Sequence, residues 1–188
     1  MNRLALLLLL AVAVPAFAGF HGPIQTSIAL SGGRSMNGVH GQLTAESLQF
    51  DFSRAFLPRT EFTWGIAPWL IDEPDHFLVA FGNGGRERTK ALHLSIGVRH
   101  HFRDASANAR PYVEMGSGPM WSDKPVPIEA SRFNFDSYGT VGATFHARKG
   151  YAPYAGIRFQ HISNGGYKAD RNPGFNITAA VFGIRLVR

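Results

Sequence analysis

Leu92-His93-Leu94-Ser95-Ile96-Gly97-Val98-Arg99-His100-His101-Phe102 is the stretch that decides the fold. In an extended chain successive side chains point to opposite faces, so Leu92, Leu94, Ile96, Val98 and Phe102 share one side, with His100 among them. His93, Ser95, Gly97 and Arg99 share the other. One face is continuously apolar; the opposite face is polar but built from small or compact groups. That combination fits a strand with hydrocarbon outside and a tightly filled polar interior.

The same period recurs on both sides of this stretch. Leu48, Phe50 and Phe52 oppose Gln49, Asp51 and Ser53, and Phe62, Trp64 and Ile66 continue the pattern, with Trp69 nearby as a candidate for an interfacial aromatic girdle. Eight such segments, over 25–33, 43–56, 59–71, 90–102, 110–121, 132–147, 152–163 and 175–187, are separated by clusters of Gly, Pro, Asn and Asp. None carries a helical stripe. The apolar stretch His76 to Phe81 is assigned to a long external loop, because single-chain bacterial barrels have even strand numbers. The expected fold is therefore all-β: an eight-stranded antiparallel transmembrane β-barrel of the bacterial outer membrane. Eight strands enclose a space that side chains fill, which argues against a pore. A soluble eight-stranded barrel would alternate equally well with its polar face outside, and period 2 alone does not choose between the two.

Residues 1–18 read as a secretory signal peptide, with Arg3 as the positive start, Leu4 to Val14 as the apolar run and Ala16-Phe17-Ala18 as the small-residue cleavage pattern. Residues 19–188 then form a single barrel domain. The chain has no cysteine, which excludes disulfides and thiolate metal sites. Its 19 Lys and Arg against 13 Asp and Glu give a net charge of +6, or +5 once Arg3 is removed with the leader. That balance suits an anionic partner. Export favours lipid, and the basic residues form no aromatic-interleaved stripe of the kind a nucleic-acid surface needs. Gly32-Gly33 and Gly84-Gly85 read as turn or bulge glycines outside any phosphate-binding motif.

The candidate chemistry lies at Arg158-Phe159-Gln160-His161-Ile162-Ser163-Asn164-Gly165-Gly166 and at Asn172-Pro173-Gly174-Phe175-Asn176. His161 and Ser163 are two apart in a strand and project side by side, following Ala155, Ile157 and Phe159 at the end of an apolar stripe, while Arg158 and Gln160 face the interior. A serine hydroxyl becomes nucleophilic when a neighbouring imidazole accepts its proton. Polar groups facing hydrocarbon are costly and tend to serve function. Asn176 shares the outward face of the next segment with Thr178, Ala180, Phe182, Ile184 and Leu186, so a hairpin brings its amide to the His161 ring. A His-x-Ser pair alone also arises by chance, and Asn172-Pro173-Gly174 is an ordinary turn signal.

His161-Ile162-Ser163-Asn164-Gly165-Gly166, with Asn172-Pro173-Gly174-Phe175-Asn176 opening the last strand, resembles the active-site segment of the lipid A 3-O-deacylase family, the PagL-type outer-membrane esterases. Weaker similarity covers the Leu48 to Trp64 hairpin, Leu92 to Phe102, Arg110 to Gly118 and Arg132 to Phe145. The resemblance implies an esterase on the barrel exterior that removes the 3-O-linked acyl chain of lipid A. It makes Ser163 the nucleophile and His161 the general base, and places Asn164, Gly166 and Asn172 at or near the oxyanion site. Where the best-known arrangement has a glutamate as third member, this chain has Asn176. An amide orients an imidazole but supplies no charge to the imidazolium. Asp170, in a loop, is a poor substitute.

No cofactor or metal is expected. The eight histidines show no His-Glu-x-x-His spacing, and His100 and His101 point to opposite faces of one strand. The expected partners are lipid A or lipopolysaccharide as substrate and the outer-membrane lipids, with Lys168 and Arg171 as candidates for holding phosphates. Two rival readings remain at this point: a non-catalytic small outer-membrane barrel serving adhesion or envelope stability, and a barrel phospholipase or acyltransferase.

Overall fold

A computed structural model describes residues 19–36, 43–74, 86–126, 131–146, 149–166 and 174–186. The leader, the stretch His76 to Phe81, the pair Gly84-Gly85 and residues Lys168, Asp170, Arg171, Asn172 and Pro173 lie outside them. The described residues form eight strands in chain order: β1 (His21–Ser35), β2 (Thr44–Leu57), β3 (Thr60–Pro74), β4 (Arg86–His101), β5 (Ala109–Ser122), β6 (Phe133–Phe145), β7 (Tyr151–Ser163) and β8 (Phe175–Leu186). Each pairs antiparallel with its sequence neighbours, and β8 returns to β1, where Thr26 opposes Leu186 and Ser35 opposes Ile177. The sheet is a closed barrel with no free edge. Gly32 and Gly33 do not turn or bulge: both lie within β1, paired with β2 on one side and β8 on the other.

The two ends differ. Residues 58–59, 102–108 and 146–150 make the connections at one end, whereas 36–43, 75–85, 123–132 and 164–174 join the strands at the other. These are called the short-turn and long-connection ends below.

The alternation read from the sequence sets the two faces. Leu92, Leu94, Ile96 and Val98 are exposed outside, as are Ile28 and Leu30 of β1, Phe50 of β2 and Ile184 of β8. So wide a belt of large apolar side chains exceeds by far the patches that a water-soluble surface carries, and it matches the lipid-facing band of an outer-membrane barrel. Aromatic side chains gather toward both ends of the belt. Trp64 stacks on Phe52 and Phe62 with ring centroids 5.9 and 5.8 Å apart, and Phe20 meets Phe62 at 6.1 Å, toward the short turns. Near the long connections Trp121, Phe133 and Phe135 pack in series at 5.3 and 5.1 Å. Trp69 belongs to neither girdle: at 4% exposure it lies inside the barrel. Its odd position gives it the parity of Glu61, Thr63 and Ala67, the inward face of β3, rather than that of Phe62, Trp64 and Ile66.

Inside, the lumen is filled in two layers. Toward the long connections Leu43, Trp69, Ile71, Met120, Val126, Ile162, Phe175 and Ile177 form an apolar plug. Below it lies a charged network. Arg99 donates to Glu114 Oε2 from Nε at 2.9 Å and from Nη2 at 2.6 Å, and its guanidinium stacks over Tyr112 at 4.8 Å. Tyr138 donates to Glu114 Oε1 at 3.3 Å, and Arg158 reaches the same carboxylate at 3.9 Å while donating to Gln49 Oε1 at 3.1 Å and Thr140 Oγ1 at 2.9 Å. Arg185 Nη1 donates to Glu61 Oε1 at 2.9 Å, with His101 Nε2 3.4 Å from the same oxygen. Buried charges persist only when paired and hydrogen-bonded. Glu114 is the counter-ion that Arg99 and Arg158 share, so Glu114→Ala should cost about 3–5 kcal/mol. The check is denaturant unfolding in detergent micelles, where the variant's midpoint should fall clearly below that of the unaltered protein.

Candidate active site

Ser137, His161 and Asn176 lie side by side across three strands, Ser137 opposing His161 between β6 and β7 and His161 opposing Asn176 between β7 and β8. All three have the outward parity of their strands. Ile162, Phe175 and Ile177, the inward neighbours, are fully buried in the apolar plug, and this anchors both strands from behind. The outward residues stand on a wall fixed by its other side.

His161 Nδ1 and Asn176 Oδ1 are 2.8 Å apart. With the amide oxygen as acceptor, Nδ1–H donates and Nε2 keeps its lone pair. Ser163 also faces outward at the end of β7, opposite Phe135 of β6. What brings the ring and the serine to one place is Gly174, the residue that leads into β8. A Cβ on Gly174 would stand 2.9 Å from His161 Cε1, 3.2 Å from His161 Nε2 and 3.2 Å from Ser163 Cβ. The imidazole edge and the serine thus converge on a point that only a residue without a side chain leaves empty.

After Ser163 the chain turns away. Asn164 points inward with 1% exposure, and its Oδ1 accepts from the Gly166 backbone N–H at 2.9 Å. Gly165 and Gly166 take φ of 64° and 75°, the left-handed region in which a side chain is strained. Of the residues expected at the site, His161, Ser163 and Asn176 come together on the exterior. Asn164 lies behind them, Gly166 has its amide engaged by Asn164, and Asn172 falls outside the described residues.

Two contributors carried no local signal. Gly174 read only as part of a turn. Ser137 becomes visible only through the register of β6 against β7. Together with Met36, Phe159, Gln160, His161, Asn176 and Ile177 it lines an open cavity of about 270 Å³ on the outer wall. The Met36 N–H donates to the Asn176 carbonyl at 2.8 Å and fixes the far rim of this cavity.

Comparison with known proteins places this arrangement in context. The family model described as lipid A 3-O-deacylase (PagL) matches residues 47–185. No curated protein sequence is a significant match. Among solved structures, that of the outer-membrane enzyme PagL is similar with a TM-score of 0.61 at 14% identity, over 84% of this chain and 97% of that one. Neisserial surface protein A gives 0.67 at 10% identity, over 90% and 99%. Outer membrane protein W of E. coli gives 0.56 at 13% identity, over 90% and 100%. At these identities the structural likenesses establish the barrel fold alone.

Gly174→Ala tests the convergence directly. The added methyl meets the tip of a side chain rather than backbone, so the ring should yield, part from Asn176 and leave the barrel intact. In ¹⁵N spectra of His161 the single Nδ1–H tautomer of the unaltered protein should give way to a mixture, with heat-modifiable migration on gels unchanged.

Proposed function

The chain belongs to the lipid A 3-O-deacylase family, and from that premise we propose that it is an outer-membrane serine esterase that hydrolyses the 3-O-linked acyl chain of lipid A. In this reading residues 1–18 are the export signal, residues 19–188 are the barrel, and lipid A reaches the site from the surrounding leaflet. The observation that carries the proposal is the His161–Asn176 contact on the outward, lipid-facing wall with Ser163 beside it. Two uncharged polar groups and an imidazole at the top of an apolar belt have no packing role there, and an ester at the level of the lipid headgroups is the bond they would meet.

Ser163 Oγ attacks the ester carbonyl carbon while His161 Nε2 takes the hydroxyl proton. The tetrahedral oxyanion collapses, the sugar oxygen leaves with the proton returned by His161, and the acyl group stays on Ser163. Water then attacks the acyl-enzyme with the same base, releasing the fatty acid and restoring the serine. Asn176 holds the ring in the productive tautomer. We assign oxyanion donors to the backbone N–H of Asn164, whose side chain faces inward, and to Gly166 and Asn172; Gly166 serves once its amide leaves Asn164 Oδ1. An amide at position 176 orients without stabilising the imidazolium, so the triad works below the strength that a carboxylate there would give.

Release of 3-hydroxy fatty acid from purified lipid A, followed by mass spectrometry, tests the proposal. Ser163→Ala should lower the rate by on the order of 10⁵-fold or more, and His161→Asn nearly as far. Asn176→Ala should lose less, and Asn176→Glu should retain or raise activity. Deacylation that Ser163→Ala leaves unchanged ends the serine-esterase reading, whereas no release of fatty acid by the unaltered protein returns the chain to the non-catalytic barrels.

A further inference from the structure

The polar groups of the outer wall do not stop at His161 and Asn176. Ser137 opposes His161, and Ser117 of β5 opposes Ser137 in the next pair. The two serine hydroxyls are 2.9 Å apart, with either able to donate. Asn176, His161, Ser137 and Ser117 therefore form one polar row crossing four strands. The row also descends. Asn176 is the second residue of β8 and His161 the third from the end of β7, whereas Ser137 is the fifth of β6 and Ser117 the sixth from the end of β5. Its surroundings are apolar, with Met115, Phe135 and Phe159, the outward residues two away from Ser117, Ser137 and His161, all exposed.

A hydroxyl pair set into a hydrocarbon-facing wall satisfies part of its hydrogen-bonding capacity internally. Each hydroxyl has one donor and two acceptor sites, so a pair sharing one bond keeps a donor and several lone pairs for a third group. In hydrocarbon no water supplies that group. The cavity that joins Ser137 to His161 and Asn176 supplies the place for it.

Resting on the esterase reading above, we propose that Ser137, held by Ser117, is a specificity-determining residue that hydrogen-bonds a hydroxyl on the acyl chain a few carbons from the scissile ester. An acyl chain whose carbonyl sits at Ser163 runs down into the hydrocarbon along this wall, and its first carbons cross the cavity at the level of Ser137. A chain without that hydroxyl leaves Ser137 with only its serine partner and forfeits one hydrogen bond.

The test compares ethyl 3-hydroxydecanoate with ethyl decanoate, presented in detergent micelles to the purified full-length protein. The readout is the ratio of their kcat/KM values. The unaltered protein should favour the hydroxylated ester by about tenfold, the scale of one hydrogen bond. Ser137→Ala should bring the ratio close to one, Ser137→Thr should keep most of it, and Ser117→Ala should fall between. A ratio near one in the unaltered protein, or one that Ser137→Ala leaves within twofold, overturns the proposal. Binding of the two free acids, measured by calorimetry in the same micelles, reports on the subsite independently of turnover. Hydrolysis of the esters that Ser163→Ala leaves unchanged would sink the esterase reading, while equal binding of the two acids would sink this one.

Discussion

Hydrogen bonding between β1 and β8 closes the sheet, and the closure forces every strand to present one face to a narrow lumen and the other to the surroundings. Inside a ring of eight strands there is room for side chains and little else. Large polar residues that enter must find partners on strands far away in sequence. Gln49 meets Arg158 across 109 positions and Glu61 meets Arg185 across 124. These contacts tie opposite walls of the barrel together, so the interior fixes the register that the outer surface displays.

The candidate site depends on that fixed register. His161 and Asn176 are cross-strand partners, and Gly174 lies against the ring because β8 begins where it does. The apolar plug behind them, made by Ile162, Phe175 and Ile177, holds both strands without offering a polar alternative to the outward groups. In a flexible loop, a histidine and a serine this close would need further contacts to keep their orientation. Here the wall supplies the orientation, and the neutral amide of Asn176 stands within hydrogen-bonding distance of Nδ1.

Most of the architecture was legible in the sequence because barrel strands write their environment in period 2. The strands, their outward faces and the common face of His161, Ser163 and Asn176 all follow from parity. The residue type of Trp69 makes it a girdle candidate, but its parity puts it inside, where the plug has room for an indole because Ala67 and Ala91 are small. Gly32 and Gly33 were read as punctuation, although a strand within a closed barrel tolerates glycine when its neighbours on both sides hold it. The interior ion pairs were not legible, since nothing local links Arg185 to Glu61. Ser137 was invisible for the same reason: its meaning lies in what stands opposite, and only the pairing of β6 with β7 reveals that. Asn164 shows the limit of motif reading, because being adjacent to a serine in sequence placed it on the opposite face.

The plug has one more implication, for hydration. Leu43, Met120 and Val126 are fully buried, and among the described residues the plug fills the mouth of the lumen behind the wall that carries His161. Any water that reaches the imidazole must creep down the outside from the headgroup layer, past the lipids packed against the barrel. Moisture at the site is then a property of the membrane as much as of the protein. In the proposed cycle, tighter lipid packing would bear hardest on the second half, the step that consumes water.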